Sequence, residues 1–361
     1  MMTETIKPDL ADVVELMDRV LREVTTVADE FPLVFRTGFS GQVVSMGDDE
    51  SIRSTCAILL REAICPDANY KLGLIGSVST DNGFRGTGLA TSVLLSGEQR
   101  LAEQGAVISM LWADDPRFYF ARGYRPIGSE NDFIIDEAVL RGLPVIDGSC
   151  VASAENAEAI HQHYCNHKAR MNRSLDETVA LLECPGMSTL VHVVDGKVLA
   201  YACMGRGEDL DGTVHEWGGA IESVLGLLRV HAETNPSDKP TFLIAPCNEN
   251  ELVERMTAIG SPPVTGLLGL AKIINRGAAA GLLMELLGEH AVVNYNPNAI
   301  EAEQVQIVTA NGSEYLNDDT LLVLLFSGKG ERAETIAFGD YFGIDVDKLP
   351  LQTFAWGLDS I

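Results

Sequence analysis

Residues Leu72–Ala90 read LGLIGSVSTDNGFRGTGLA. The apolar run Leu72–Val78 has the make-up of a buried strand. A short polar turn follows, then Arg85-Gly86-Thr87-Gly88-Leu89-Ala90, then a helix-like run, Thr91–Gln104. Strand, glycine-rich turn and helix, in that order, build an anion site. Glycines let the backbone turn tightly and aim several N–H groups at one point. The unpaired N–H groups and the positive dipole end of the helix face that same point. A pyrophosphate fits such a site. The turn is not a Walker loop, because no Gly-Lys-Ser/Thr follows, and the dinucleotide pattern G-x-G-x-x-G fails after Gly88.

The spacing Arg-x-x-Gly-x-Ala, directly after a strand ending in Val-Ser-Thr, resembles the acetyl-CoA loop of the GNAT superfamily of N-acetyltransferases. A second motif lies downstream in the right order. Ala106–Trp112 (AVISMLW) reads as the next buried strand and Asp115–Arg122 (DPRFYFAR) as a short helix. Phe118-Tyr119 followed by Gly123-Tyr124 then fits the family's Phe-Tyr-x-x-x-Gly-Phe/Tyr. The resemblance covers residues 5–145. It implies acetyl-CoA as co-substrate, a primary amine as acceptor and no metal. It also implies roles for particular residues. The Val78 backbone N–H would polarise the thioester carbonyl, and Ser79 and Thr80 would continue along the pantetheine arm. Arg85, Gly86, Thr87, Gly88, Leu89 and Ala90 would hold the pyrophosphate. Tyr119 would protonate the leaving thiolate.

Working outward, Leu10–Val24 carries apolar residues at helical spacing. Thr3–Lys7 reads as a short first strand. Gln42–Met46 and Ser54–Leu60 read as strands joined through Gly47-Asp48-Asp49-Glu50, and Phe133–Asp136 as a last strand. A mixed α/β sheet around one loop results, with a boundary near residue 150. Residues 151–270 repeat the order. Ala154–Ala169 is helical in pattern. Thr189–Val194 and Val198–Met204 flank the turn signal Asp195-Gly196. Val214–Gly219, helix-like Ala220–His231 and strand-like Phe242–Pro246 follow, without an Arg-x-x-Gly-x-Gly/Ala. The expectation is a second, degenerate GNAT-like domain without its own cofactor. Residues 271–361 differ: Ala291–Val293 and Val305–Val308 read as strands, and Asp318–Leu325 as a helix capped by Asp318 or Asp319. The plan is similar to the sterol carrier-like tail of tandem GNAT proteins of the enhanced intracellular survival acetyltransferase group. The resemblance implies three parts: residues 1–150 (catalytic), 151–270 (degenerate) and 271–361 (sterol carrier protein-like). It further implies a homo-oligomer.

Composition bounds the partners. The chain has 361 residues, 46% hydrophobic and 22% charged, which suits globular domains with ample core. Net charge is −26, from 26 Lys and Arg against 52 Asp and Glu. Nucleic acid needs clustered cations and is excluded as a partner. A field of this sign serves solubility and would also concentrate a cationic amine substrate. No apolar run reaches the about 20 residues of a membrane span. The start MMTETIKPDL lacks an apolar signal core, and the seven cysteines show no CxxC. A cytoplasmic protein with reduced thiols is expected.

Acetyl transfer also needs a base for the amine. Glu62, Asp114 and Asp115 lie on segments bordering the expected cleft. The resemblance adds the C-terminal carboxylate of Ile361, since in the three-part group the chain end returns to the active site. Here the tail Phe354–Ile361 (FAWGLDSI) is apolar and aromatic. The run His161–His167 (HQHYCNH) invites a metal reading, but the i,i+4 pairs His161/Cys165 and His163/His167 lie on different helix faces. His215-Glu216-Trp217 has the make-up of a site constellation, but reads first as a strand end in the degenerate domain. Against the acetyltransferase reading stand a non-catalytic acyl-CoA-binding or sensor protein and a lipid carrier acting through the tail domain.

Overall fold

The computed structural model describes residues 3–4, 8–48, 51–234, 240–328 and 332–361. Of the expected first strand, residues 3–4 are paired and 5–7 lie outside the described residues, as do Asp49 and Glu50 of the expected turn. The first sheet runs in the order Thr3–Glu4, Gln42–Gly47, Ile52–Ile64, Asn69–Thr80, Ile108–Leu111, Gly269–Ile273, Arg125–Ile127. Ile52–Ile64 and Asn69–Thr80 are longer than their apolar cores suggest, because their polar ends keep pairing down to Ile64 opposite Asn69.

Asn69–Thr80 pairs antiparallel with Ile52–Ile64 on one side and parallel with Ile108–Leu111 on the other. The helix Leu89–Glu103 makes the crossover that a parallel pair requires. Its Val93, Leu94 and Leu101 are fully buried, in one core cluster with Ile58 and Ile75. Each such side chain contributes about 1.5–3 kcal/mol of burial.

The second sheet repeats this plan. Ser188–Val194, Lys197–Met204 and Thr213–Gly219 form an antiparallel meander, and Thr213–Gly219 pairs parallel with Thr241–Pro246. The turn at Asp195-Gly196 has both φ positive, 49° and 75°, as a tight two-residue hairpin demands. The helix Ile221–Thr234 is the crossover.

The two sheets exchange strands, and the divisions expected at residues 150 and 270 are crossed. Glu130–Ile135 follows Arg125–Ile127 with only Gly128 and Ser129 between. Yet it pairs in the second sheet, beside Thr241–Pro246 and Val264–Gly266. It is not the last strand of the first sheet. Reciprocally, Gly269–Ile273 leaves the second sheet after Val264–Gly266 and inserts between Ile108–Leu111 and Arg125–Ile127. Phe133 and Ile135 alternate as buried residues, a pattern that suits either sheet.

The third part is an antiparallel sheet of Val292–Tyr295, Val305–Thr309 and Gly312–Tyr315 with helices Arg276–Leu287, Asp318–Phe326 and Arg332–Phe342. Asn317, rather than either aspartate, caps Asp318–Phe326, its side chain accepting from the Thr320 N–H. The chain then returns through the body of the molecule. Leu351 N–H donates to Leu325 O, Trp356 Nε1 donates to Ala169 O, and Trp356 is fully buried. No helix among the described residues is long and apolar enough to cross a membrane.

Candidate active site

The site starts where the two central strands of the first sheet part. Their parallel pairing covers only Leu72–Leu74 against Ile108–Met110, so the edge of the strand from Ile75 to Thr80 has no partner strand on that side. On the other side the register shifts between Thr55 and Ala57. Ser79 lies opposite Thr55 and Gly76 opposite Ala57, leaving Ser77 and Val78 facing Cys56 alone. This is a bulge, with Ser77 at φ 51°. It turns Val78 out toward the cleft. Ser79 is buried with its hydroxyl on Ser77 O, and Thr80 Oγ1 lies 2.8 Å from Ser54 Oγ.

Past Thr80, Asp81 caps a single turn, Asn82–Phe84, through the Gly83 N–H. The loop Arg85–Gly88 is exposed. Gly86 and Gly88 have φ 77° and 92°, the left-handed region where a Cβ is penalised. Gly88 is the N-cap of the helix that begins at Leu89, and no side chain caps it. The first-turn N–H groups therefore point outward with nothing bound to them from a cap, which is what an anion needs. Leu89 is buried beneath the loop and Ala90 is half-buried. Arg85 is exposed, with one long contact from Nε to Thr80 O at 3.5 Å. Thr87 Oγ1 donates to Phe84 O at 2.6 Å, which pins the turn. The residues present suit a pyrophosphate at this loop.

The second motif is tied to the first by a residue that motif reading passed over. Arg122 donates through Nε and Nη2 to Thr91 Oγ1, and its guanidinium lies 3.6 Å from the Phe118 ring centroid. It brings a cation beside the first turn of the loop helix. Tyr119 packs edge-on against Phe118 and Tyr124, with centroids 5.0 and 5.7 Å away. Burial, with Cys56 adding to it, pushes the Tyr119 hydroxyl up to about 12. The hydroxyl therefore stays protonated at every physiological pH.

A cavity of about 610 Å³ brings these parts together. Ser77, Val78 and Tyr119 line it, and so does Ile361. A Cβ on Gly76 would overlap the Ile361 carboxyl group, so the tail end lies directly against the bulge. The opposite wall includes Phe31, Trp112 and Trp356. Acids ring it: Glu30, Asp114, Asp115, Glu130 and Asp209. Arg22 also lines it, but spends its charge on Glu30 and Asp209. Burial, reinforced by Asp132, raises Glu130 to about 8, so it is mainly neutral at pH 7. Asp115 is held down to about 2 by its hydrogen bonds with Arg117 and points at solvent. Glu62 is not in the cavity: it stands near the end of its strand, opposite Lys71, and its carboxylate accepts from Asn172 Nδ2.

Glu130 links charge to stability. The folded state keeps this proton up to about pH 8, while an unfolded glutamate loses it near 4.5. Between those values the folded state binds more protons, so stability falls as pH rises through the window. Relative to Glu130→Gln, the wild type should lose on the order of a few kcal/mol between pH 4.5 and 8. Denaturation midpoints measured across that range check this; parallel curves for the two proteins would refute it.

The equivalent parting of strands in the second sheet is filled. Trp217 Nε1 donates to Ile244 O across the gap, and His167 Nε2 lies 2.7 Å from Trp217 O. Trp356 stacks on His167 with centroids 4.2 Å apart. The other members of the histidine run are spent on separate partners. His161 Nδ1 lies 2.9 Å from Thr178 Oγ1, and His163 Nε2 lies 3.0 Å from Val198 O. Cys165 Sγ meets His161 Nε2 at 3.5 Å. Among the described residues no group of three His, Cys, Asp or Glu could hold a metal. His215 lines the candidate cavity from the second sheet, rather than serving only as the strand end favoured from sequence. Burial lowers it to about 4, so it is neutral.

Known proteins place this geometry. The family model described as acetyltransferase (GNAT) domain matches residues 4–127. Among solved structures, the fold is similar to a conserved protein of unknown function from Enterococcus faecalis V583. That match has 15% identity and a TM-score of 0.66 over 99% of this chain and 98% of that one. It is similar to a GCN5-related N-acetyltransferase from Kribbella flavida, at 13% identity and a TM-score of 0.59 over 88% and 85% of the two chains. Eis1 from Mycobacterium abscessus aligns over the same shares, at 13% identity and a TM-score of 0.52. No curated protein matches the chain. At these identities the structural likenesses establish a mixed α/β fold, and the chemistry comes from the family model: residues 4–127 match an acetyltransferase (GNAT) domain, and the protein is an acyltransferase.

Proposed function

We propose that this protein transfers an acetyl group from acetyl-CoA to a primary amine, with cationic small molecules the favoured acceptors. The observation that carries the reading is the one cavity lined together by Val78 of the bulge, Tyr119 and Ile361. Acetyl-CoA supplies the activated thioester. The exposed loop Arg85–Gly88, with Leu89 and Ala90 opening the helix behind it, holds its pyrophosphate, Ser79 and Thr80 follow its arm, and the Val78 N–H orients the carbonyl. The Ile361 carboxylate accepts a proton from the incoming ammonium, leaving a neutral amine to attack. Tyr119 donates its proton to the departing thiolate. The ring of acids and aromatic faces suits a cation with an apolar body.

The second sheet, with its strand parting filled by Trp217, Trp356 and His167, supports the reading of a degenerate GNAT-like domain. The three-stranded meander and its helices support the sterol carrier-like part. One acetyl-CoA per chain is the expected stoichiometry, and native mass spectrometry showing two would overturn it. Cytoplasmic residence belongs to the same reading, supported by seven cysteines all free as thiols. The homo-oligomer rests on the family resemblance. The decisive assay is thiol release from acetyl-CoA with a panel of amines. Amine-dependent release supports the enzyme, whereas tight acetyl-CoA binding without release under any amine would favour a sensor.

A further inference from the structure

The second half of the molecule binds the tail through buried charged groups. Arg173 is fully buried and donates from Nη1 and Nη2 to the two oxygens of Glu216, at 3.0 and 2.9 Å. The same Nη2 donates at 2.8 Å to Asp359, whose side chain is also fully buried. Tyr164 donates its hydroxyl to the other Asp359 oxygen at 2.8 Å, and its ring lies under the Arg173 guanidinium at 3.8 Å. Burial disfavours the Arg173 charge, but Asp359 and Glu216 outweigh it and keep the guanidinium protonated. A second buried arginine grips the next residue along. Arg206 Nη1 donates to Gly357 O at 2.7 Å, Ser360 O at 3.1 Å and Ser360 Oγ at 3.0 Å. Its Nε and Nη2 donate to Glu30 O on the cavity wall.

These contacts fix Gly357–Ser360 at both ends, and Ile361 follows at once against Gly76. Two buried guanidiniums are an expensive way to hold a loop, since an apolar plug would pack as well. What they add is a single direction for the last residues. Hydrogen-bonded charges are geometrically specific where apolar packing is not.

We infer that Arg173 and Arg206, acting through Asp359 and Ser360, are positioning residues that hold the Ile361 carboxyl group against the Gly76–Val78 bulge, and that presenting this group to the first sheet is a role of the second. The inference rests on the proposed function, in which that carboxylate takes the amine proton. Neither arginine is given a step in that reaction; Arg173 lies outside the cavity lining, and Arg206 lines the cavity while its guanidinium is engaged by Glu30, Gly357 and Ser360.

The experiment compares three full-length proteins by steady-state kinetics per folded molecule, using an amine accepted by the wild type. Asp359→Asn keeps the size of the side chain and the Arg173–Glu216 pair. Arg206→Lys keeps a charge but loses the fork. The third protein carries two glycines after Ile361. Both substitutions should lower kcat about tenfold or more while KM for acetyl-CoA changes less than about twofold. Their residual rate should also climb with pH from about 7 to 9.5, as water takes over deprotonation of the amine. A purely structural role would lower the folded fraction and leave that pH profile alone. Should Asp359→Asn fail to fold, Arg206→Lys decides by the same readouts. An extended protein at the native rate overturns the carboxylate reading and this inference with it. An inactive extension alongside substituted proteins with native kcat and pH profile overturns the positioning role alone.

Discussion

Tyr119→Phe is expected to lower turnover on an accepted amine by about 10²-fold or more, the usual worth of a positioned acid, with acetyl-CoA affinity nearly unchanged. The ring contacts to Phe118 and Tyr124 survive in phenylalanine, so the fold and the cavity wall should hold. What disappears is the hydroxyl of Tyr119, the motif residue that lines the cavity with Val78 and Ile361. Because burial holds this hydroxyl protonated to about 12, the wild type should show no loss of rate from Tyr119 ionisation below about pH 10. Isothermal binding and thiol-release kinetics on the two proteins check both parts. A phenylalanine enzyme at full rate would remove the hydroxyl from the mechanism and leave the proton to solvent.

The second large effect is on cofactor binding. Gly88→Val should weaken acetyl-CoA binding by about 10²-fold or more while the melting temperature stays close to that of the wild type. Gly88 stands at φ 92°, where a β-branched residue is strained. Relief of that strain would rotate the loop and turn the first helical N–H groups away from the phosphates. The position is otherwise open: a Cβ on Gly88 would meet no atom within 4 Å, so the core should not register the change. Calorimetry giving native affinity would refute the loop assignment.

Much of the site could be read from local sequence because its parts are local devices. A glycine-rich turn before a helix is specified within Leu72–Gln104, and the loop, the helix and the Phe118-Tyr119 segment stand where their patterns placed them. The hairpin at Asp195-Gly196 likewise follows from residues that accept positive φ. Tyr119 was legible through its motif, but Arg122 beside it was visible only as another surface-type cation until its bond to Thr91 was seen. Gly76 carried no signal at all: its reason is the Ile361 carboxyl group, which lies at the other end of the chain.

The exchange of strands was beyond sequence reading for a related reason. Glu130–Ile135 and Gly269–Ile273 each have the alternation or apolar content of a sheet strand, and hydrophobic burial is satisfied by either sheet. Which sheet receives them depends on pairing partners far away in the chain. The same holds for Arg173, Arg206, Glu216 and Asp359. Singly, each reads as an ordinary charged residue of a strongly acidic chain. Their meaning lies in being desolvated together, and charges leave water only where a partner distant in sequence has been brought within hydrogen-bond reach. Local backbone chemistry thus specified the glycine-rich loop, the crossover helices and the segment that carries Tyr119. Long-range pairing and shared burial set the sheet memberships, the filled second cleft and the placement of the tail beside the bulge.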